Sequence, residues 1–130
     1  MFARLAVAAA LLVGAPLQAA TAPRVYAVRW DRTTASAEGR ALIDQVDARL
    51  REELKRRGAT VVDGAIGPSG IVLKPTVERL HQGLKLKLIG LRGPEQRMVG
   101  AVSMQATGKN SDAVMKALVT RACLEADQLD

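Results

Sequence analysis

The stretch of residues 71–107 reads IVLKPTVERLHQGLKLKLIGLRGPEQRMVGAVSMQAT and decides the fold class. Three segments rich in aliphatic and β-branched residues, 71–80, 84–91 and 97–107, are separated by two short groups of turn-forming residues. This spacing predicts three consecutive antiparallel strands, a β-meander. In the middle segment leucine and lysine alternate from Leu84 to Leu88, so one face of the sheet is predicted to be buried and the other solvated.

The residues before the meander predict a strand, a helix and a second strand. Residues 24–30 are β-branched and aromatic, and we expect them to form a strand inside the sheet. In residues 36–57 apolar side chains recur every three or four positions, which predicts an amphipathic helix. Its apolar positions are Ile43, Val46, Leu50 and Leu54, with Leu42 beside them. Gly58 is suited to the left-handed position that ends such a helix, and residues 59–63 form a short strand.

After the meander, residues 111–129 predict a closing helix. Asn110, Ser111 or Asp112 is suited to cap it. Its apolar positions are Met115, Leu118, Val119, Ala122, Ala126 and Leu129. Pro75 cannot donate a backbone hydrogen bond, so its strand is predicted to have an unpaired side or a bulge there. The whole predicts an α+β fold: a single two-layer domain, order β-α-β-β-β-β-α, with a mixed sheet, an antiparallel meander and two helices on one face.

The first residues have the pattern of a secretory signal. One positive charge, at Arg4, precedes an apolar run over residues 5–13, and Gly14 and Pro16 follow it. We expect residues 1–19 to be a signal peptide, cleaved near residues 19–22, and residues 23–130 to form one domain. The chain has a single cysteine, Cys123, so none follows the signal for a lipid anchor. A periplasmic or secreted protein that is not a lipoprotein is predicted.

The chain is moderately basic. Lysine and arginine number 19 against 13 acidic residues, and removal of Arg4 with the signal lowers the formal charge from +6 to +5. We expect no nucleic-acid partner, because Tyr26 and Trp30 are the only aromatic residues left for base stacking. The meander contains six basic residues and only two acidic ones, Glu78 and Glu95. The six basic residues form the candidate binding surface. They are Lys74, Arg79, Lys85, Lys87, Arg92 and Arg97. Protection of the solvated face from aggregation explains the same lysines equally well.

The meander and closing helix resemble the amino-terminal domain of TolB and its relatives among bacterial envelope proteins. Residues 71–89, IVLKPTVERLHQGLKLKLI, are similar to that family's hydrophobic strand, its turn with glycine and the alternating strand that follows. Residues 98–105 and 111–129 then correspond to the return strand and the closing helix. The chain lacks the β-propeller that follows this domain in TolB, and the loop at residues 31–34 is short. The resemblance implies a docking module of the envelope and assigns no binding residue.

No catalytic or cofactor-binding motif is present in the chain. It contains no Gly-x-Ser-x-Gly, no glycine-rich phosphate loop and no His-Glu-x-x-His. His81 is the only histidine and adjoins a turn, and Cys123 lies in a predicted helix, where a buried structural thiol is favoured over a nucleophile. An intermolecular disulfide is the second interpretation of Cys123. We therefore expect no enzyme activity, no cofactor and no metal site.

Three functions are compatible with these features. The first is a non-catalytic module that docks onto a cell-envelope protein complex, through a sheet edge or through the basic sheet face. The alternative is a binder of anionic envelope glycans or lipid headgroups. The third is an enzyme that uses Cys123 and His81. A homo-oligomer is left open, since Ile89 and Leu91 share the face of Lys85 and Lys87 and a second subunit could cover them.

Overall fold

The computed structural model describes residues 24–33 and 35–129, which form a five-stranded sheet with two helices. In chain order the elements are β1 (Val25–Val28), α1 (Ala37–Arg56), β2 (Thr60–Val62), β3 (Ile71–Leu80), β4 (Gly83–Arg92), β5 (Arg97–Thr107) and α2 (Ser111–Asp127). The order β-α-β-β-β-β-α confirms the predicted α+β fold. The predicted signal peptide, residues 1–19, lies outside the described residues.

The sheet has the strand order β2-β1-β3-β4-β5. β1 is parallel to both of its neighbours, and β3, β4 and β5 form the predicted antiparallel meander. β1 pairs only with the first residues of β3, ending where Val28 lies opposite Leu73. Pro75 therefore lies where β3 has β4 on one side and no paired strand on the other among the described residues. The predicted unpaired side at this proline is confirmed.

Helix α1 begins and ends where the sequence predicts. The Ser36 hydroxyl accepts a hydrogen bond from the Gly39 amide at 3.0 Å, which satisfies one of the free N–H groups of the first turn. Gly58 follows the last turn with a φ of 92°, a conformation that glycine adopts without strain. The buried residues of α1 are the five predicted ones, Leu42, Ile43, Val46, Leu50 and Leu54.

Helix α2 packs beside α1 on the same face of the sheet. Of the three candidate caps, Asn110 performs the role: its side chain accepts from the amides of Asp112 and Ala113 at 2.9 and 3.1 Å. Every apolar position predicted for the closing helix is buried, including Leu129, which lies just beyond the end of α2 at Asp127. The two helices and β4 share one core cluster, in which Leu84, Leu86 and Leu88 face the helices. The predicted burial of one face of the meander is therefore confirmed.

The C-terminal end of α2 is anchored to the sheet by contacts that no local pattern predicts. The Tyr26 hydroxyl lies 3.2 Å from the Ala126 carbonyl oxygen, and the Arg24 guanidinium donates to the Leu129 carbonyl at 3.1 Å. The Leu129 side chain lies over the facing glycines Gly90 and Gly100, where an added Cβ would come within 2.5 Å of its methyl groups. These two glycines make room for Leu129, which sets the position of α2 along the sheet.

Candidate interaction surface

The sheet has a second face, opposite the helices, which we name the open face. Alternation along paired strands places on it alternate residues of the meander. They include Lys74, Thr76, Glu78, Lys85, Lys87, Ile89, Leu91, Met98, Ala101, Ser103 and Gln105. Val72 lies opposite Leu91 on the same side but is only 3% exposed. Within the described part of the chain neither helix covers this face. It is therefore the candidate site for a partner.

The open face has a polar half and an apolar half. In the polar half Lys85 lies opposite Glu78, and Lys87 lies opposite Thr76. In the apolar half Met98 lies opposite Leu91 and is 61% exposed, and the neighbouring Ile89 is 36% exposed. Lys74 lies opposite Ile89 and adds a positive charge at the boundary. Large exposed apolar side chains rimmed by charge are typical of protein–protein contact surfaces.

Only three of the six predicted basic residues lie on the open face. Because strand partners point to the same side, Arg79 shares the helix side of the sheet with Leu84. Arg92 and Arg97 lie opposite each other and also belong to that side. Lys74, Lys85 and Lys87 remain, with Glu78 as the acidic residue among them. Because side chains alternate along a strand, the six basic residues that were grouped by charge lie on two different sides of the sheet.

The three arginines have separate surroundings. Arg79 borders a cleft between the β3–β4 turn and the first turns of α2, whose floor includes Leu84 and Met115. Arg92 is half-buried, and its Nε has no hydrogen-bond partner among the described residues. Arg97 is exposed at the start of β5. No common ligand can contact all six basic side chains on one flat surface.

The second candidate surface is the outer edge of β5, which sequence reasoning foresaw only in general terms. β5 is the last strand of the sheet, and nothing pairs with its outer edge in the described ranges. With 11 residues it is also the longest strand. An edge of this kind presents free N–H and C=O groups to which another strand can bind.

The two aromatic residues of the described chain are engaged inside the fold. Tyr26 is fully buried under α2. The Trp30 indole donates to the Asp47 carboxylate at 2.9 Å and packs against the core. Neither ring lies on the open face, so neither provides a stacking platform beside its lysines.

The residues of the enzymatic alternative lie far apart. His81 is exposed in the β3–β4 turn, where Gln82 accepts from the Gly108 amide at 2.9 Å. Val114 of α2 lies next to Gly108, and Cys123 follows nine residues later, about 13 Å further along the helix. Cys123 and His81 therefore cannot act as a nucleophile and its base in this conformation.

The Cys123 thiol is buried and electrostatically unsuited to reaction. It is 0% exposed, and burial raises its pKa to about 12, with the nearby Glu53 carboxylate acting in the same direction. Since the thiolate is the reactive form, the thiol is inert at neutral pH. A buried thiol also cannot meet a second copy, which argues against the intermolecular disulfide.

We predict that iodoacetamide modifies Cys123 at least about a hundredfold more slowly in the native protein than in guanidinium, because labelling requires the helix to open. Mass spectrometry of timed samples measures both rates, and the single cysteine makes the product unambiguous. Comparable native and denatured rates would contradict the buried position of the thiol.

No group of three or more His, Cys, Asp or Glu side chains in residues 24–33 and 35–129 is arranged to hold a metal ion. No described helix combines the length and the apolar character that a membrane span requires.

Comparison with known proteins shows a likeness of fold. No protein-family model matches the chain, and neither does any curated protein. The crystal structure of protein XCC0632 from Xanthomonas campestris, of family DUF330, is similar with a TM-score of 0.50. The alignment has 10% sequence identity and covers 80% of this chain and 81% of that one. At this identity the likeness concerns the fold alone, and it supports the two-layer α+β architecture.

Proposed function

We propose that the chain is a non-catalytic interaction module of the bacterial cell envelope, which docks onto an envelope protein complex through the open face. The observation that carries the proposal is the juxtaposition of Lys74, Lys85 and Lys87 with the exposed Ile89 and Met98 on a sheet face that neither described helix covers. The signal-like N-terminus and the resemblance to the TolB amino-terminal domain support the envelope as the proposed compartment.

The chemistry of the face favours a protein as the partner. Lysines at the rim attract an acidic surface and raise its rate of association, while burial of Ile89 and Met98 adds affinity that charge alone does not. A hydrated anionic glycan would use only the lysines and would leave these two side chains in water. An acidic protein surface with an apolar centre uses both halves of the face.

The face is also well suited to binding because it is already ordered. β4 lies between β3 and β5 and is paired along its whole length on both sides. The side chains of Lys85, Lys87 and Ile89 therefore stand on a rigid strand. Little backbone entropy is lost when a partner binds such a surface.

We expect that Lys85→Glu with Lys87→Glu lowers the amount of envelope protein captured by the immobilised chain about tenfold or more. Two rim charges are reversed, and each weakens attraction to an acidic partner by roughly 1 kcal/mol. Capture from envelope extract, with the bound protein identified and quantified by mass spectrometry, measures the effect. Met98→Asp should lower capture of the same protein by removing apolar contact.

The matched control reverses two exposed lysines elsewhere, Lys109 and Lys116, and should leave capture unchanged. Anionic lipid vesicles and an acidic polysaccharide serve as direct probes of the alternative ligands. If the vesicles or the polysaccharide bind the wild type and Met98→Asp equally but do not bind the Lys85/Lys87 variant, the glycan or lipid function replaces this proposal. Equal capture by wild type and variant would also overturn it.

A further inference from the structure

The outer edge of β5 lacks the features that usually protect an edge strand. Residues 98–107 contain no charged residue and no proline. The only irregularity in its pairing is the register shift at Gly90 and Leu91, near one end of the strand. Lysine, proline or a central bulge normally prevents an edge from pairing with another chain. An edge without them is suited to pairing.

The hydrophobic core is incompletely closed on this side. Val102 and Ala106 of β5 lie opposite Leu88 and Leu84 and face the helix layer. The two leucines are 1% and 4% exposed, whereas Val102 and Ala106 are only half-buried. Apolar side chains that belong to the core thus remain accessible from the edge of β5.

The side of α2 that lies above the β5 edge has apolar residues at its centre and carries both a positive and a negative side chain. α1 packs on the other side, where Arg49 pairs with Asp112 and the Arg57 guanidinium lies 3.9 Å from Asp127. The side turned away from α1 carries Ala117, Arg121, Leu124, Glu125 and Gln128, which line an open groove. Leu124 is 48% exposed there.

We propose that the chain forms a two-fold symmetric homodimer, in which β5 pairs antiparallel with β5 of a second copy and α2 packs against α2. A two-fold interface must be complementary to itself. If the axis passes beside residue 123, midway between Arg121 and Glu125, each Arg121 lies opposite Glu125 of the second copy. The same two ion pairs then form on either side of the axis, with Leu124 and Ala117 filling the space between the helices.

The centre of this helix contact coincides with the centre of β5. Val114 lies against Gly108 and Leu129 lies over Gly100, so 15 residues of the α2 segment run beside 8 residues of the strand segment. At rises of about 1.5 and 3.4 Å per residue, the two segments span about 22 and 27 Å, which are similar lengths. Interpolation places residue 123 above Ser103, within about one residue of Val102 at the middle of β5. One axis therefore serves both contacts.

The spacing between the two helices is also suitable. Paired strands lie about 4.8 Å apart, so the axis would pass about 2.4 Å outside β5. α2 contacts both β4 and β5 and thus lies about as far inside β5. Two such helices related by the axis would be about 10 Å apart, a distance at which helices pack through side chains.

The dimer has a consequence for binding that goes beyond the proposed function. Two five-stranded sheets become one sheet of ten strands. Because the axis is perpendicular to the sheet, both open faces lie side by side on the same surface. A partner with two matching sites would be bound bivalently, with an avidity above that of one face.

Charge reversal tests the dimer directly. Sedimentation equilibrium on the full chain, expressed with its own N-terminal segment, should give a dimer for the wild type. Arg121→Glu and Glu125→Arg should each raise the dissociation constant about tenfold or more, because like charges then face each other across the axis. The double variant Arg121→Glu with Glu125→Arg should restore the wild-type constant, since the pairs re-form with exchanged partners.

Lys55→Glu is the matched control, a charge reversal at an exposed position of α1 outside the proposed contact, and it should leave the dissociation constant unchanged. If the wild type stays monomeric at all concentrations, the proposal is overturned, and the β5 edge would be available only to a different protein. A dimer that is insensitive to both single reversals, or that the double variant fails to restore, also overturns it.

Discussion

Leu86→Asp unfolds the domain, whereas Lys87→Asp, one residue further along β4, leaves its stability nearly unchanged. Leu86 is 0% exposed in the core between the sheet and the helices. The substitution removes its apolar contacts and buries an unpaired carboxylate, at a cost of roughly 5 kcal/mol or more. That is comparable to the whole stability of a domain of this size. Thermal unfolding followed by circular dichroism measures the difference.

Lys87 supplies the control because it has the same backbone environment and the opposite orientation. It lies on the open face between Thr76 and Ser103 and is exposed. Leu86→Ala gives an intermediate point, with an expected loss of about 2–5 kcal/mol from the cavity it leaves. Equal destabilisation by the two Asp variants would show that the assignment of the faces is wrong, and the open face would lose its basis.

We expect the free energy of unfolding to be constant near neutral pH and to fall steeply above about pH 9. Burial raises the pKa of Cys123 from 9.0 to about 12 and that of Tyr26 from 10.0 to about 12. Both groups ionise in the unfolded chain before they ionise in the folded one. The unfolded state therefore loses protons first as the pH rises, and stability is lost between the two pKa values of each group. Each group contributes a slope of about 1.4 kcal/mol per pH unit.

Two variants separate the contributions. Cys123→Ala should remove the part of the decline that begins near the ordinary thiol pKa of 9.0. Tyr26→Phe should remove the part that begins near 10.0. It also deletes a hydroxyl that lies 3.1 Å from Asp127, so its stability at pH 7 should already be lower. Urea unfolding between pH 7 and pH 11 measures these slopes. An unchanged slope in Cys123→Ala would contradict the role of the thiol.

The secondary structure could be predicted because its signals are local. The three- and four-residue spacing of Val46, Leu50 and Leu54 reflects the helical repeat, and the alternation from Leu84 to Leu88 reflects the pleat of a strand. Ser36 and Gly58 mark the ends of α1 through hydrogen bonds and φ angles within a few residues. Properties of this kind depend on residues close by in the sequence, so they can be predicted from the sequence alone.

The candidate site was predicted only in part, for two different reasons. Charge alone groups Arg79 and Arg92 with the lysines. Arg92 lies eight residues from Leu84 in the same strand, and Arg79 pairs with Leu84 across the short β3–β4 turn, so both belong to the helix side. Met98 could not have been found in this way. Counting back by twos from Met104 and Val102 would place Met98 under the helices. The register shift near Gly90 and Leu91 turns it to the open face, opposite Leu91.

The sequence by itself determined the elements, their order, the buried face of each and the absence of familiar catalytic motifs, because each of these follows from side-chain type and local spacing. Only the tertiary structure decided the strand order β2-β1-β3-β4-β5, which leaves β5 at the edge. It also decided that Leu129 lies over Gly90 and Gly100, which aligns Arg121 and Glu125 with the middle of that edge. These relations join residues far apart in the chain, and packing of the whole core selects them.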